Sequence, residues 1–147
     1  MIGGINWPPS EDAVSTEAAF ARGMPNFTPE PPRPPVAQQV TVYHAQPYSH
    51  HDPLGRPVEP QLFVDVSNLV DRKIELLKHH ASQKRWLDES QGHDSYLEAL
   101  RELDEACGRM SGLFTAAEGW RRHLHWGFCG PKDDPLSEAL KGNVLVA

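Results

Sequence analysis

Leu62-Phe63-Val64-Asp65-Val66-Ser67 is the stretch that sets the fold class. Its run of large apolar residues, broken by a single carboxylate, has the composition of a strand buried on both faces. Ser67 then reads as the N-cap of a long helix running to about Asp88. Val70, Ile74, Leu77 and Ala81 recur at the spacing of one packed helical stripe, and Gly92 marks the end of the segment. A second helix, from about residue 96 to 110, opens at Ser95-Tyr96-Leu97-Glu98. This is a Ser-x-x-Glu box in which each side chain satisfies the other's backbone amide. Tyr96, Leu100, Leu103, Cys107 and Met110 form its apolar seam, with Arg101 and Glu105 on the wet side. Two helices joined by so short a link are expected to pack as an antiparallel hairpin, and a strand leading into them makes the chain α/β.

Outward from this centre the signals weaken. Val40-Thr41-Val42-Tyr43 alternates and is β-branched, a short strand near residues 40–44. Residues 45–60 are rich in Pro, His, Asp and Gly and read as a loop. Before them, residues 1–39 combine a short helix, capped at Ser10 and stopped by Gly23 and Pro25, with a proline-rich connector. In Pro29-Glu30-Pro31-Pro32-Arg33-Pro34-Pro35 the pyrrolidine rings fix φ and remove amide donors, which favours extended polyproline II. Beyond Gly108, residues 114–118 read as a short helix and 120–126 as strand or irregular chain. Gly130-Pro131 is a break, and residues 135–140 form a terminal helical turn.

The length of 147 residues suits one domain. A net charge of −6 without a basic face argues against nucleic acid as a partner. No apolar run approaches the length of a membrane span, and Met1-Ile2-Gly3-Gly4 lacks the order of a secretory signal. Cys107 and Cys129 have neither disulfide-framework nor Cys-x-x-Cys spacing. The expectation is a soluble, cytoplasmic protein.

Eight histidines make metal chemistry worth weighing. His50-His51-Asp52, with His44 close in sequence, is the obvious cluster and a possible substrate loop, but adjacent residues on extended chain point oppositely. His123 and His125 would share a face of a strand, in a setting of Trp120, Trp126 and arginines that favours a packed amphipathic edge. His80 and Gln83 neighbour each other one helical turn apart, as a cleft-lining pair or as a histidine satisfied by the next turn. Ser82 between them lacks an adjacent base. Asp65 stands between strand and helix, either as a functional carboxylate or as an acceptor for helix amides. Glu118 and Asp133-Asp134 lack a paired partner in sequence, and there is no phosphate loop or nucleophile elbow.

Taken in order, several of these pieces resemble the C-terminal part of the LmbE/PIG-L-like N-deacetylases. They are Phe63-Val64-Asp65-Val66-Ser67, the Lys73 helix ending in His80-x-Ser82-Gln83, Trp86-Leu87-Asp88-x-Ser90-Gln91-Gly92-x-Asp94-Ser95-Tyr96-Leu97, and Ala116-x-Glu118-Gly119-Trp120-Arg121-Arg122-His123. A weaker likeness, Ala18-Ala19-Phe20-x-x-x-Met24-Pro25-Asn26, is similar to the helix after that family's second metal motif. The resemblance implies a Rossmann-like α/β fold and zinc-dependent hydrolysis of an N-acetyl amide on a GlcNAc-type substrate, with zinc lowering the pKa of its bound water. Neither zinc-binding motif occurs: the first would precede Met1, and Trp7-Pro8-Pro9-Ser10-Glu11-Asp12 stands where the second is expected. The resemblance therefore carries over no metal ligand and no general base, only His80, Ser82 and Gln83 as structural or cleft-lining residues.

Two functions follow as expectations. One is a truncated or split deacetylase, inactive alone, completed by an N-terminal half or partner subunit. The other is a non-catalytic interaction module that uses the helical hairpin and the proline tract. In either case exposed apolar surface is expected, covered by self-association or by a partner.

Overall fold

The structure, a computed structural model, describes residue 34 and residues 37–79 and 95–147, the side chain of Ser95 excepted. The expected N-terminal helix, most of the proline tract, the far end of the first central helix and its link to the second lie outside the described residues. The chain divides into two compact units, residues 45–121 with 136–147 and residues 1–44 with 122–135.

In chain order the elements are β1 (Tyr43–Ala45), a 3-10 turn (Tyr48–His50), β2 (Leu62–Asp65), α1 (Val70–Lys78), α2 (Ser95–Ser111), β3 (Ala117–Arg122), α3 (Pro135–Ala139) and β4 (Val144–Val146). The strands form a mixed α/β architecture around a sheet of order β1-β3-β2-β4. β2 pairs antiparallel with β3, Phe63 opposite Gly119, and with β4, Phe63 opposite Leu145. Bonds from Gln46 N to Gly119 O and from His123 N to Val42 O keep a constant sum of residue numbers. That is the signature of an antiparallel ladder between β1 and β3 as well.

The central position of β2 explains its composition. Leu62, Phe63 and Val64 are all buried, and the pleat sends neighbours to opposite faces. Val64 packs with Val66, Val70 and Ala116, supported by Ile74, Trp120, Leu136, Leu140 and Val144. Phe63 packs with Cys107 and Ala117, supported by Phe114 and Leu145. Val70 of α1 thus belongs to one cluster and Cys107 of α2 to the other. They meet through Arg101–Asp71 at 2.6 Å and Lys73–Asp104 at 2.6 Å.

Several expectations need correction. Ser67 is not the cap of α1: the helix begins at Val70, and its N-cap Leu69 makes no side-chain cap bond. The Ser67 hydroxyl instead donates to Asp65 Oδ1 at 2.6 Å and accepts from Ala116 N at 3.2 Å, tying the end of β2 to the start of β3. Asp65 Oδ1 also accepts from Ser67 N, so this carboxylate closes a local turn. Strand β1 starts at Tyr43, three residues later than the alternation at Val40 suggests. Residues 117–118, read as helix, are strand, because Ala117 and Gly119 are small enough to lie against Phe63, Cys107 and Pro60. Helix α2 runs through Gly108 to Ser111, close to its expected end at residue 110. There Gly112 takes φ 66° and Ser111 Oγ accepts from Leu113 N and Phe114 N. The terminal helical turn is present as α3, whereas β4 has no counterpart in the sequence reading. Among the described residues no helix is long and apolar enough to cross a membrane.

In the other unit, Val40 N donates to Phe128 O, Tyr43 Oη donates to Asp134 Oδ1 at 2.6 Å, and Arg122 donates to the carbonyls of Pro131 and Asp133.

Candidate ligand-binding site

A cavity of about 340 Å³ opens in the first unit where the 3-10 turn, α1, α2 and β3 come together. Its polar groups include Gln46, His50, Lys73, Asp104 and Glu118, and Tyr48 and Trp120 contribute aromatic rings. Each arrives on a different rationale. Lys73 lies one residue before Ile74, which packs on the Val64 cluster, so the packing of α1 fixes the position from which Lys73 reaches the cavity. Asp104 sits one turn before Cys107 on the buried side of α2 and is itself only 7% exposed. Glu118 alternates with Ala117 and Gly119 on β3.

The ammonium of Lys73 bridges two carboxylates, 2.6 Å from Asp104 Oδ2 and 2.8 Å from Glu118 Oε1. Burial works to lower the Lys73 pKa, but the bonds to Asp104 and Glu118 outweigh it and hold the group above the ordinary lysine value. Asp104 is displaced upward as well: burial is its largest influence, offset only in part by Lys73. With both carboxylates ionised the triad carries a net charge of −1.

His50 is placed at a conformational cost, since Ser49 and His50 both take left-handed backbone, φ 64° and 58°. Each such residue costs on the order of 1 kcal/mol. Its Nε2 faces the carbonyl of Leu103 at 3.1 Å. A carbonyl only accepts, so Nε2 carries the proton, and in neutral imidazole Nδ1 is left as a bare lone pair. That Nδ1 is buried and without a partner. Gln46 is oriented in the same way: Nε2 donates to Val58 O, which leaves Oε1 buried and unpartnered.

The remaining expected site residues do not converge here. His51 is exposed and its Nδ1 lies against Ser49 O. Asp52 organises the following turn by accepting from Leu54 N and Arg56 N. His44 belongs to the other unit, where its Nε2 is 2.8 Å from His123 Nδ1 and the His123 ring meets Phe128 edge-on. His80, Ser82 and Gln83 lie outside the described residues. Glu118, unpaired in sequence, has both a cation and a second carboxylate beside it. Sequence reasoning missed Lys73 and Asp104 because their contact spans 31 positions. The one available signal was Asp104, a carboxylate one turn from Cys107 on the buried side of a helix.

Zinc, implied by the family resemblance, does not fit the donor set described. Among the described residues no three of His, Cys, Asp or Glu come together as ligands. The cluster that does form has a lysine at its centre, and a protonated amine repels a cation.

Cys107 borders the same cavity. Burial, with help from Asp104 and Glu118, pushes its thiol up from 9.0 to about 11. Because the folded value exceeds the unfolded one, its contribution to stability is complete below about pH 9 and disappears as pH rises toward 11. The expected loss is on the order of 2–3 kcal/mol. Lys73, also displaced upward, acts with the same sign in the lysine range. Urea midpoints measured from neutral to alkaline pH should fall across this window, and a thiol reagent at neutral pH should label Cys129 while sparing Cys107 until the chain unfolds.

The chain matches no family model, no curated protein and no solved structure.

Proposed function

We propose that this chain is a binding module for a small molecule, which it holds in the Lys73–Asp104–Glu118 cavity without chemistry of its own. The observation that carries the reading is the shared ammonium. A lysine bonded to two carboxylates and held above its ordinary pKa is protonated at neutral pH and is a poor nucleophile. Asp104 Oδ2 and Glu118 Oε1 are occupied by that ammonium and are not free to take a proton from a substrate. What the cluster offers instead is fixed charge and hydrogen-bonding capacity against a mainly apolar wall, the usual composition of a small-ligand site. The cavity of about 340 Å³ is of the size such ligands fill.

Titrating isotopically labelled protein with small aromatic fragments tests this. Binding with Kd on the order of 1 mM should shift the amide signals of Gln46, Leu103, Cys107 and Gly119 together. Scattered or absent shifts across the whole panel would exclude the cavity as a ligand site.

A second reading rests on the ordered resemblance from Phe63 to Leu97: the chain as the C-terminal part of an LmbE/PIG-L-like N-deacetylase, with zinc and base supplied by another chain. Zinc analysis of the dialysed protein, with an assay for acetate released from an N-acetylglucosamine derivative, addresses it. Stoichiometric zinc with acetate release by this chain alone would mean that it builds a site from its own histidines, and would overturn both the binding-module reading and the need for another chain.

A further inference from the structure

We infer that the cavity selects a ligand bearing a primary amine in its cationic form, presented on a small apolar or aromatic body. The inference rests on the cavity being a ligand site and adds the polarity of what enters it. Two residues that line it, Gln46 and His50, each carry a buried polar atom without a partner, and both atoms are acceptors when the imidazole is neutral. Gln46 gives its amide nitrogen to Val58, so the oxygen is what remains. His50 gives Nε2–H to Leu103, so in the neutral imidazole a lone pair remains on Nδ1. The carboxylates of Asp104 and Glu118 are acceptors throughout, and Lys73 spends two of its protons on them. The lining is therefore rich in acceptors and short of a positive charge.

A primary ammonium supplies what is missing. It carries three donors and no acceptor, and it would bring the −1 of the triad to neutrality. A carboxylate ligand would add a like charge and further acceptors. An alcohol supplies a single donor and leaves the charge uncompensated. Trp120 in the wall favours the same choice, since an aromatic face attracts a cation and packs an apolar body.

The test is a matched series on one scaffold, benzylamine, benzyl alcohol and benzoate, titrated into the full chain and followed at the amide signals of Gln46, Leu103, Cys107 and Gly119. Benzylamine is expected to bind about 10-fold more tightly than benzyl alcohol, with benzoate weakest. Glu118→Gln, which removes one negative charge, should erase most of that preference. Gln46→Leu, which removes an acceptor without altering charge, should weaken the amine on its own and guards against a folding defect in the first variant. Equal binding of amine and alcohol, or tighter binding of benzoate, would overturn the inference and leave the cavity as a ligand site. Failure of all three compounds to move these signals would overturn both.

Discussion

Gly108→Ala is expected to destabilise the protein by about 2–3 kcal/mol, the cost of overpacking a filled site. Helix propensity alone demands the opposite sign, since alanine in a helix interior is favoured over glycine by about 1 kcal/mol. Packing decides the outcome. A Cβ on Gly108 would lie 2.7 Å from the carbonyl carbon and oxygen of Thr115 and 2.8 Å from Ala116 Cα. These are backbone atoms at the entry to β3, and they cannot swing aside as a flexible side chain would. Ala116 is moreover buried in the Val64 cluster and donates to Ser67 Oγ, so moving it disturbs the join between the two central strands. Urea denaturation monitored by helical circular dichroism measures the change. A midpoint raised by the substitution would mean that α2 does not lie directly on residues 115–116.

The second large effect is expected at Lys73. Its replacement by methionine keeps most of the stem but removes the ammonium from Asp104 and Glu118, whose side chains are 10% and 35% exposed. Water can screen Glu118, so its share of the penalty is small. Asp104 cannot be screened in this way, and an uncompensated buried carboxylate costs about 3 kcal/mol or more. The pH dependence follows from sign. Asp104 is already held above its ordinary value by burial, and removing Lys73 pushes it further up. A group raised in the folded state favours folding most when it is protonated. The defect of Lys73→Met should therefore shrink as pH falls through the carboxyl range and be largest near neutrality. Lys73→Met combined with Asp104→Leu should recover much of the loss, as buried ion pairs replaced whole by apolar groups often do. A double variant as unstable as the single one would show that Asp104 is not the source of the penalty.

The chemistry of the cavity also rests on an unusual local conformation. Ser49 and His50, without the freedom of glycine, both hold positive φ in the turn that brings His50 to Leu103. Such strain persists where surrounding contacts over-determine it. Here the contacts are the His50 bond to α2, the bond from His50 N to Pro47 O and the bond from Val58 N to His50 O.

What the amino-acid sequence determined by itself was local. The apolar run Leu62–Val66 announced a strand covered on both faces, and it supplies one of the two inner strands of the sheet. The stripes through Val70 and Ile74 and through Leu100, Leu103 and Cys107 announced the two helices, because a 3.6-residue period is written into neighbouring positions. Strand β4 was not legible: Val144–Val146 is too short to establish a period, and it is a strand because β2 presents it an open edge. The close approach at Gly108 was not legible either, because nothing in its own segment shows the chain returning at Thr115 against it. The site was decided by tertiary structure alone. Lys73, Asp104 and Glu118 lie on separate elements, and in the sequence only Asp104, one turn from Cys107 on the apolar side of α2, departs from an ordinary solvated charge. Only the packing of two helices around one sheet brings them within 3 Å of a shared ammonium, where burial and pairing give them the properties that solvent would otherwise erase.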